Sequence, residues 1–288
     1  MLGEILLNYL LSAIDRKVRR YGLMKFTFRL LSQVRYLVFY HGLIDRASKS
    51  IKRFLSTVYR FDVKVTFPVV ALIAYRYDNL IKDILSYGHE VACHGLIHTL
   101  YDRMPYEEQV VHFKLAKRLL EEISGLNVIG VRLPYSRFND KTHKALTEAG
   151  FKYDSSMRAD EKPNPFYLRF NGTSILEIPW FDTDDVLIDE RGLSPVQMVR
   201  IWSRALKRAR PGDVYVFDLH PIRIGMPPYT MVLRDLLSIA RDLGLRVLCL
   251  EDVYRMRHKL GDVATLVISG DIDCLRVWDF VLRIVKLA

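Results

Sequence analysis

Two histidines spaced for joint metal binding follow a short apolar segment of this 288-residue chain. Residues 90–93 have the composition of a buried strand, and His94 and His98 come directly after them. On one turn of helix, imidazoles at this spacing can bind the same divalent cation. Because an HxxxH pattern alone is a weak signal, its place at the end of a strand is what favours a metal site over two unrelated histidines.

Two further apolar runs end in side chains capable of chemistry. Arg132 follows residues 128–131, where it can orient a catalytic carboxylate or form a purely structural ion pair. His220 follows the run 214–219. A histidine there can give a proton to a leaving amine, although a lone histidine after a strand is usually structural.

The segment WFDTDD follows the apolar run 175–178 and contains Trp180 and Asp185. Aromatic rings beside carboxylates are common where sugars bind, because apolar sugar faces pack on rings. They are equally common at ordinary loop starts. The segment therefore offers Trp180 and Asp185 as candidate substrate-binding residues.

The elements that must position these residues are short β-type runs alternating with helical patterns, which predicts parallel βα units and an α/β fold. Strands are predicted at 36–40, 63–70, 90–93, 128–131, 175–178, 214–219, 246–250 and 263–268. Seven or eight such units favour one barrel domain, in which functional groups gather at the carboxyl ends of the strands.

Together, the motifs and their order resemble the polysaccharide deacetylase family (NodB homology, carbohydrate esterase family 4). The segments that carry the resemblance lie within residues 63–257 and are VKVTFPVV, LIKDILSYGHEVACHGLIH, GVRLPYSRFNDKTHKALTEAGFKYDSS and DVYVFDLHPIRIG. The resemblance implies a distorted (β/α)7–8 barrel with outer helices and a divalent metal. It also implies roles for five residues: metal ligands at His94 and His98, a general acid at His220, a partner of the base at Arg132, and an oxyanion-binding N–H at Tyr135.

The family's opening TFDD motif, which supplies the base and a third metal ligand, is absent from its expected place. The matching strand reads LVFYHG, with Tyr40 and His41 where the two acids would stand. Three explanations stay open. The protein is inactive, or His41 is an alternative metal ligand, or the acids come from elsewhere in the chain.

The last unit, residues 263–288, favours the third explanation. A strand at 263–268 ends in a D-x-D pattern, and an amphipathic helix is predicted at 275–287. We expect this strand to close the barrel beside the strand at 36–40, with Asp271 as the base and Asp273 as the third metal ligand. The alternative is a solvated Asx turn between strand and helix.

The predicted function is metal-dependent removal of an acetyl group from an N-acetylated amino sugar that is linked to a lipid or a nucleotide. Zn²⁺ is the expected cation by ligand type. Two alternatives remain: a catalytically inactive relative that binds a glycan, and an amidohydrolase acting on a non-sugar amide such as a cyclic ureide.

Positive charge is concentrated at the start of the chain. Residues 1–60 hold twelve Lys/Arg against three Asp/Glu, so they contribute 12 − 3 = +9 of the net charge of +10. We predict a basic amphipathic helical segment at 1–35, packed on the barrel or lying on an anionic membrane, and a deacetylase-like barrel at 36–288. No nucleic-acid partner is expected.

A cytoplasmic location, peripheral to the membrane at most, is expected for two reasons. The apolar stretch near the start precedes its charges and has no small-residue cleavage site, unlike a signal peptide. The three cysteines are scattered and odd in number, which is typical of reduced thiols.

Overall fold

The computed structural model describes residues 46–159, 163–170, 172–276 and 279. The predicted segment 1–35, the strand 36–40 with Tyr40, His41 and most of the helix at 275–287 lie outside the described residues.

One mixed sheet runs through the described part of the chain, and all its pairings are parallel except that of β5 with β6. Its strands are β1 (Thr66–Val69), β2 (Glu90–Cys93), β3 (Gly130–Val131), β4 (Tyr153–Asp154), β5 (Phe166–Phe170), β6 (Thr173–Glu177), β7 (Trp180–Thr183), β8 (Val214–Asp218), β9 (Arg246–Leu248) and β10 (Thr265–Ser269). Their order is β5-β6-β4-β3-β2-β1-β10-β8-β7, with β9 also paired to β10.

The sheet closes on itself. β7 begins three residues after β6 ends, and a bridge between Arg158 and Trp180 joins β7 to the chain that follows β4. From β1 the paired strands run through β2 and β3 to β4, and this bridge leads from the end of β4 to β7. From β7 the pairing continues through β8 and β10 back to β1. The predicted α/β barrel is confirmed.

Helices pack on the outer surface of this barrel. They are α1 (Arg46–Arg60), α2 (Ala71–Arg76), α3 (Asp78–Ser86), α4 (Tyr106–Ser124), α5 (Asp140–Glu148), α6 (Pro195–Leu206), α7 (Pro221–Ile224), α8 (Thr230–Asp242) and α9 (Leu250–Met256). Strand residues alternate between two apolar layers. Phe67 and Phe217 join the layer under the helices, whereas Val216 and Val267 join the cluster that fills the barrel.

The C-terminal strand β10 lies between β8 and β1. Along one edge it pairs with β8 over its full length, ending at Ser269 opposite Asp218. On the other edge its first three residues pair with β9, and Ser269 pairs with Thr66 of β1. A further bridge joins Ile272 to Val69. The chain therefore continues along β1 past the end of β10, which carries the D-x-D segment to the carboxyl end of the barrel.

Three strands, β4, β5 and β7, were not predicted from the sequence. β5 forms an antiparallel hairpin with β6, and its mixed exposure left no regular apolar alternation to detect. The segment that contains Trp180 is strand β7 rather than the start of a loop. Pro179, which separates β6 from β7, hides their continuity.

Two smaller expectations concern membranes and cysteines. Among the described helices, none combines the length and apolarity needed to cross a bilayer. Cys93, Cys249 and Cys274 are buried and form no disulfide with one another.

Candidate active site at the carboxyl end of the barrel

His94, His98 and Asp273 form a compact group at this end of the barrel. The Nε2 atoms of His94 and His98 lie 3.4 and 3.3 Å from the two carboxylate oxygens of Asp273. One ligating atom from each residue falls within 4.8 Å of the others. The histidines come from the loop after β2, and the aspartate comes from the loop after β10.

The donor set of this group suits a divalent cation. His94 Nδ1 lies 2.8 Å from the carbonyl oxygen of Arg132, an acceptor that places the proton on Nδ1 and leaves the Nε2 lone pair facing Asp273. Two ligands about 2.0–2.1 Å from a tetrahedral zinc ion are roughly 3.3–3.4 Å apart, which is the spacing seen here. Although burial opposes a charged imidazole, the negative charges of Asp271 and Asp273 raise the pKa of His94, so the pocket favours a cation.

Arg132, at the end of β3, is buried beside two carboxylates. Its Nη1 lies 2.8 Å from Asp218 and 3.3 Å from Asp271, and it also donates to Ser269 Oγ at 2.5 Å. Nε and Nη2 donate to the carbonyl and hydroxyl oxygens of Ser155, which fix the plane of the guanidinium. Arg132 thus orients Asp271 from the far side of the metal-binding group.

Burial dominates the electrostatics of Asp271. Burial, reinforced by the negative charge of Asp218, raises the pKa of Asp271 to about 6, while the charges of His94 and Arg132 act in the opposite direction. Its Oδ2 lies 3.7 Å from His94 Nε2. A carboxylate with this pKa, next to a candidate metal group, can accept a proton near neutral pH.

His220 follows β8 and contacts a carboxylate absent from the predicted site. Its Nδ1 lies 2.6 Å from Asp184 Oδ1, and its backbone N–H donates to the same oxygen at 3.2 Å. Burial disfavours the protonated imidazole, but Asp184 and the nearby Asp218 raise the pKa of His220 well above its ordinary value. The ring is therefore held protonated, which suits a proton donor.

Comparison with known proteins agrees with this geometry. Residues 32–153 match the family model described as polysaccharide deacetylase, a stretch that contains both the HxxxH and the RxPY segments. This part of the chain is therefore similar to the polysaccharide deacetylase family.

Individual relatives are distant. A peptidoglycan deacetylase of Helicobacter pylori (strain ATCC 700392 / 26695) is 28% identical over 93 residues, 32% of this chain and 31% of the relative, so the match spans about a third of that protein. A probable polysaccharide deacetylase from Pseudomonas aeruginosa PAO1 superposes with a TM-score of 0.64 at 24% identity over 73% of each chain. An allantoinase gives 0.63 at 24% identity over 73% of this chain and 72% of its own. At these identities the two structures show the fold.

Tyr135 lies at the rim of the candidate site. It occupies a single turn, Pro134–Ser136, with a left-handed backbone (φ 61°, ψ 10°), and its ring is 41% exposed. The ring contacts that of His98 edge-on at 4.5 Å between centroids. The described contact with the candidate metal group is made by the ring, and the oxyanion role of the Tyr135 backbone N–H stays a prediction.

The hydrogen bonds described for Trp180 and Asp185 involve none of His94, His98 and Asp273. Trp180 pairs with Val216, below the end of β8, and its indole N–H donates to the Ser156 carbonyl at 3.0 Å. Asp185 Oδ1 accepts from Thr183 Oγ1 and from the backbone N–H of Val186. The substrate-binding roles of both residues stay predictions, and their described contacts are structural.

Three residues of the candidate site were missed as functional candidates: Asp184, Asp218 and Ser269. Each lies within a motif that the sequence did single out. Asp184 precedes Asp185, and Asp218 is two residues before His220. The signal was a polar residue at the end of an apolar strand, since such residues face the same end of the barrel.

Proposed function

We propose that this domain is a metal-dependent N-deacetylase that hydrolyses the acetamide of an amino sugar. The observation that carries the proposal is the position of β10. Its carboxyl end puts Asp271 beside Arg132 and puts Asp273 against the histidine pair. A base, a third metal ligand and a base-orienting cation thereby meet, although the family's opening motif is missing.

In this proposal His94, His98 and Asp273 hold the cation, with Zn²⁺ favoured by two imidazoles and one carboxylate. When bound, such an ion supplies Lewis acidity and lowers the pKa of a water molecule.

The remaining steps are carried out by three side chains and one backbone N–H of the domain. Asp271 accepts the proton of the attacking water, and Arg132 fixes the direction of that carboxylate. His220 then protonates the departing amine, so acetate and a free amino group leave. The backbone N–H of Tyr135 donates a hydrogen bond to the developing oxyanion.

For the substrate, we propose an amino sugar on an anionic carrier, such as a nucleotide or a lipid-linked phosphate. The +9 charge of residues 1–60 supports this class because a basic segment attracts anions. The proposal includes a cytoplasmic location, supported by three buried cysteines without a disulfide among them.

The test uses purified wild type, Asp271→Asn and Asp273→Asn, with Asp262→Asn as an exposed control in the same C-terminal unit. We would measure bound metal by mass spectrometry and acetate release from N-acetylated sugars, both free and nucleotide-linked. Asp273→Asn should lose the ion held at this site, which is one ion per chain fewer than in wild type. Asp271→Asn should keep it and lose about 10²–10⁴-fold in kcat, the usual contribution of a general base. The control should match wild type.

Other outcomes point elsewhere. If Asp273→Asn binds as many metal ions as wild type, His41 becomes the candidate third ligand and the role of β10 is refuted. If wild type binds metal but releases no acetate, a non-catalytic glycan-binding domain replaces the enzyme. Turnover of cyclic ureides alone would move the substrate to non-sugar amides.

A further inference from the structure

A second cluster of ligating side chains lies away from the active site, between the barrel and α5. His143 on α5 is 3% exposed, and Asp154 on β4 and Glu177 on β6 are fully buried. None of the three contributes to the proposed deacetylation. We call them the α5 cluster.

The strands place its two carboxyl groups side by side. Asp154 and Glu177 are paired in register across β4 and β6, so both side chains leave the same face of the sheet. Their chain neighbours Tyr153 and Leu176 point into the barrel, which directs the carboxyl groups outward beneath α5. The rings of Phe138 and Phe170 lie 4.8 and 5.6 Å from the imidazole of His143 and enclose it.

Each carboxyl group has one oxygen engaged and one without a hydrogen bond. Asp154 Oδ1 accepts from Ser156 Oγ at 2.5 Å, and Glu177 Oε1 accepts from the Met157 N–H at 2.8 Å. Asp154 Oδ2, Glu177 Oε2 and His143 Nε2 have no hydrogen-bond partner in the described structure. One ligating atom from each of the three residues lies within 4.8 Å of the others.

The charge of the cluster requires compensation. An ion buried without a partner costs several kcal/mol even after the protein relaxes. The N–H groups of Arg132 do not compensate this charge, because they donate to Ser155 and pair with Asp218 in the candidate active site. A positive species, either a proton or a metal ion, must therefore sit between the two carboxyl groups.

The distances favour a metal ion. His143 Nε2 lies 3.3 Å from Asp154 Oδ2, yet the pair does not form a hydrogen bond. Ligands bound at about 2.0–2.1 Å to a tetrahedral zinc ion are spaced by roughly the same amount. Buried ligands and aromatic walls are also typical of a structural site rather than a catalytic one.

We propose that His143, Asp154 and Glu177 form a second, structural site for a divalent cation, with Zn²⁺ as the expected ion. Because the ligands are buried, the ion is taken up as the chain folds and is released slowly. It links α5 to β4 and β6. Ser155, which accepts hydrogen bonds from Arg132, directly follows β4. The site does not depend on the deacetylase activity.

The test counts metal ions in a background that lacks the first site. Proteins would be produced with zinc, dialysed to remove loosely bound ions, and measured by mass spectrometry. We expect two ions per chain in wild type, one in Asp273→Asn, and none in Asp273→Asn/His143→Gln. Exposed His258 provides the matched control, so Asp273→Asn/His258→Gln should keep one ion.

A second substitution guards against misfolding of the histidine variant. Glu177→Gln retains an oxygen that can accept from the Met157 N–H, and in the Asp273→Asn background it should also remove the remaining ion. A strong chelator should lower the melting temperature of Asp273→Asn but not that of Asp273→Asn/His143→Gln or Asp273→Asn/Glu177→Gln.

The proposal is overturned if Asp273→Asn carries no metal while it remains folded, since the cluster then holds a proton. It is also overturned if the remaining ion survives both His143→Gln and Glu177→Gln. Failure of the first site alone would instead appear as one ion in wild type that is lost in His143→Gln and retained in Asp273→Asn.

Discussion

At the amino end of the barrel, the Glu90 carboxyl group accepts hydrogen bonds from Thr66 Oγ1, from Tyr153 Oη and from the Glu251 backbone N–H. At the carboxyl end, Asp218 and Asp271 instead flank the guanidinium of Arg132. Both ends bury carboxyl groups, but the first surrounds its group with neutral donors and the second with cations.

The difference decides what each end can do. Burial raises the pKa of Glu90 to about 7, because neutral donors offset only part of the cost of a buried charge. That carboxyl group can be neutralised by one proton without disturbing its partners. At the carboxyl end, the loss of one charged partner would leave a buried charge without compensation. These charged groups also surround the candidate metal ligands. We infer a structural role at the amino end and chemistry at the carboxyl end.

An apolar layer separates the two ends. Val214, Val216, Val267 and Leu176 belong to the cluster inside the barrel. Because this layer excludes water and polar groups, a substitution at one end should leave the other end's chemistry unchanged. A substitution at one end is therefore tested by a property of that same end.

The largest effect is expected from Arg132→Met, which removes the cation between Asp218 and Asp271. Breaking a buried ion pair by deleting one partner costs about 3–5 kcal/mol, since the remaining charge is left uncompensated. We expect a loss of that size in the free energy of unfolding, measured with urea at pH 7.

Arg137→Met is the matched control for this change. Its side chain is 53% exposed and pairs with Asp102 at 2.7 Å, so about 1 kcal/mol or less should be lost. An Arg132→Met protein as stable as the control would show that the two carboxyl groups are neutral and that the charged description of this end is wrong.

The next effect concerns the proton on His220. In Asp184→Asn the imidazole loses the carboxylate that holds its pKa high, so its pKa should fall. A general acid must be protonated to act, and the alkaline limb of kcat/KM should therefore move to lower pH. We expect kcat at pH 7 to fall about a hundredfold, within the range for general acid catalysis, with metal content unchanged.

Asp185→Asn separates this effect from a general loss of negative charge. Asp185 accepts from Thr183 Oγ1 and the Val186 N–H rather than from His220. The control should shift the alkaline limb much less. Equal shifts in the two variants would mean that the contact between Asp184 and His220 has no special role.

Much of the carboxyl end was predictable from the sequence because its residues follow apolar strands. His94, Arg132 and Asp271 each come within two residues of a strand end, and parallel strands bring such positions together. The same reasoning predicted an extra strand before Asp271, which the structure has as β10.

The sequence did not show which acid of the segment WFDTDD contacts His220. A β-bulge between Trp180 and Asp182 shifts the register of β7 against β8, so Asp182 meets Phe217 and accepts from the Trp202 indole N–H. Asp184 consequently reaches His220. A bulge of one residue changes which side chains face inward, and composition carries no signal for it.

The α5 cluster was also invisible in the sequence. Asp154 and Glu177 are 23 residues apart and come from strands whose pairing register decides whether they meet. His143 lies in a helix where histidine is unremarkable. Only the tertiary fold brings the three together.

The smallest effect is expected at the amino end. A carboxyl group whose pKa is higher folded than unfolded binds its proton more tightly in the folded state, so stability falls as pH rises from its ordinary value of 4.5 through about 7. For Glu90 this amounts to about 2 kcal/mol between pH 5 and pH 7, at 1.36 kcal/mol per pKa unit. Glu90→Gln removes the dependence.

The neighbouring His89 makes a direct pH scan of wild type misleading. Burial lowers the pKa of His89 to about 4, so its contribution to stability rises over much of the same pH interval and masks that of Glu90. The difference between variant and wild type cancels the histidine. We expect this difference in unfolding free energy to move by about 2 kcal/mol in favour of Glu90→Gln between pH 5 and pH 7, with kcat/KM within threefold of wild type. The exposed Glu107→Gln should show a flat difference. A flat line for Glu90→Gln would place an ionised carboxylate at the amino end, and the contrast between the two ends of the barrel would then disappear.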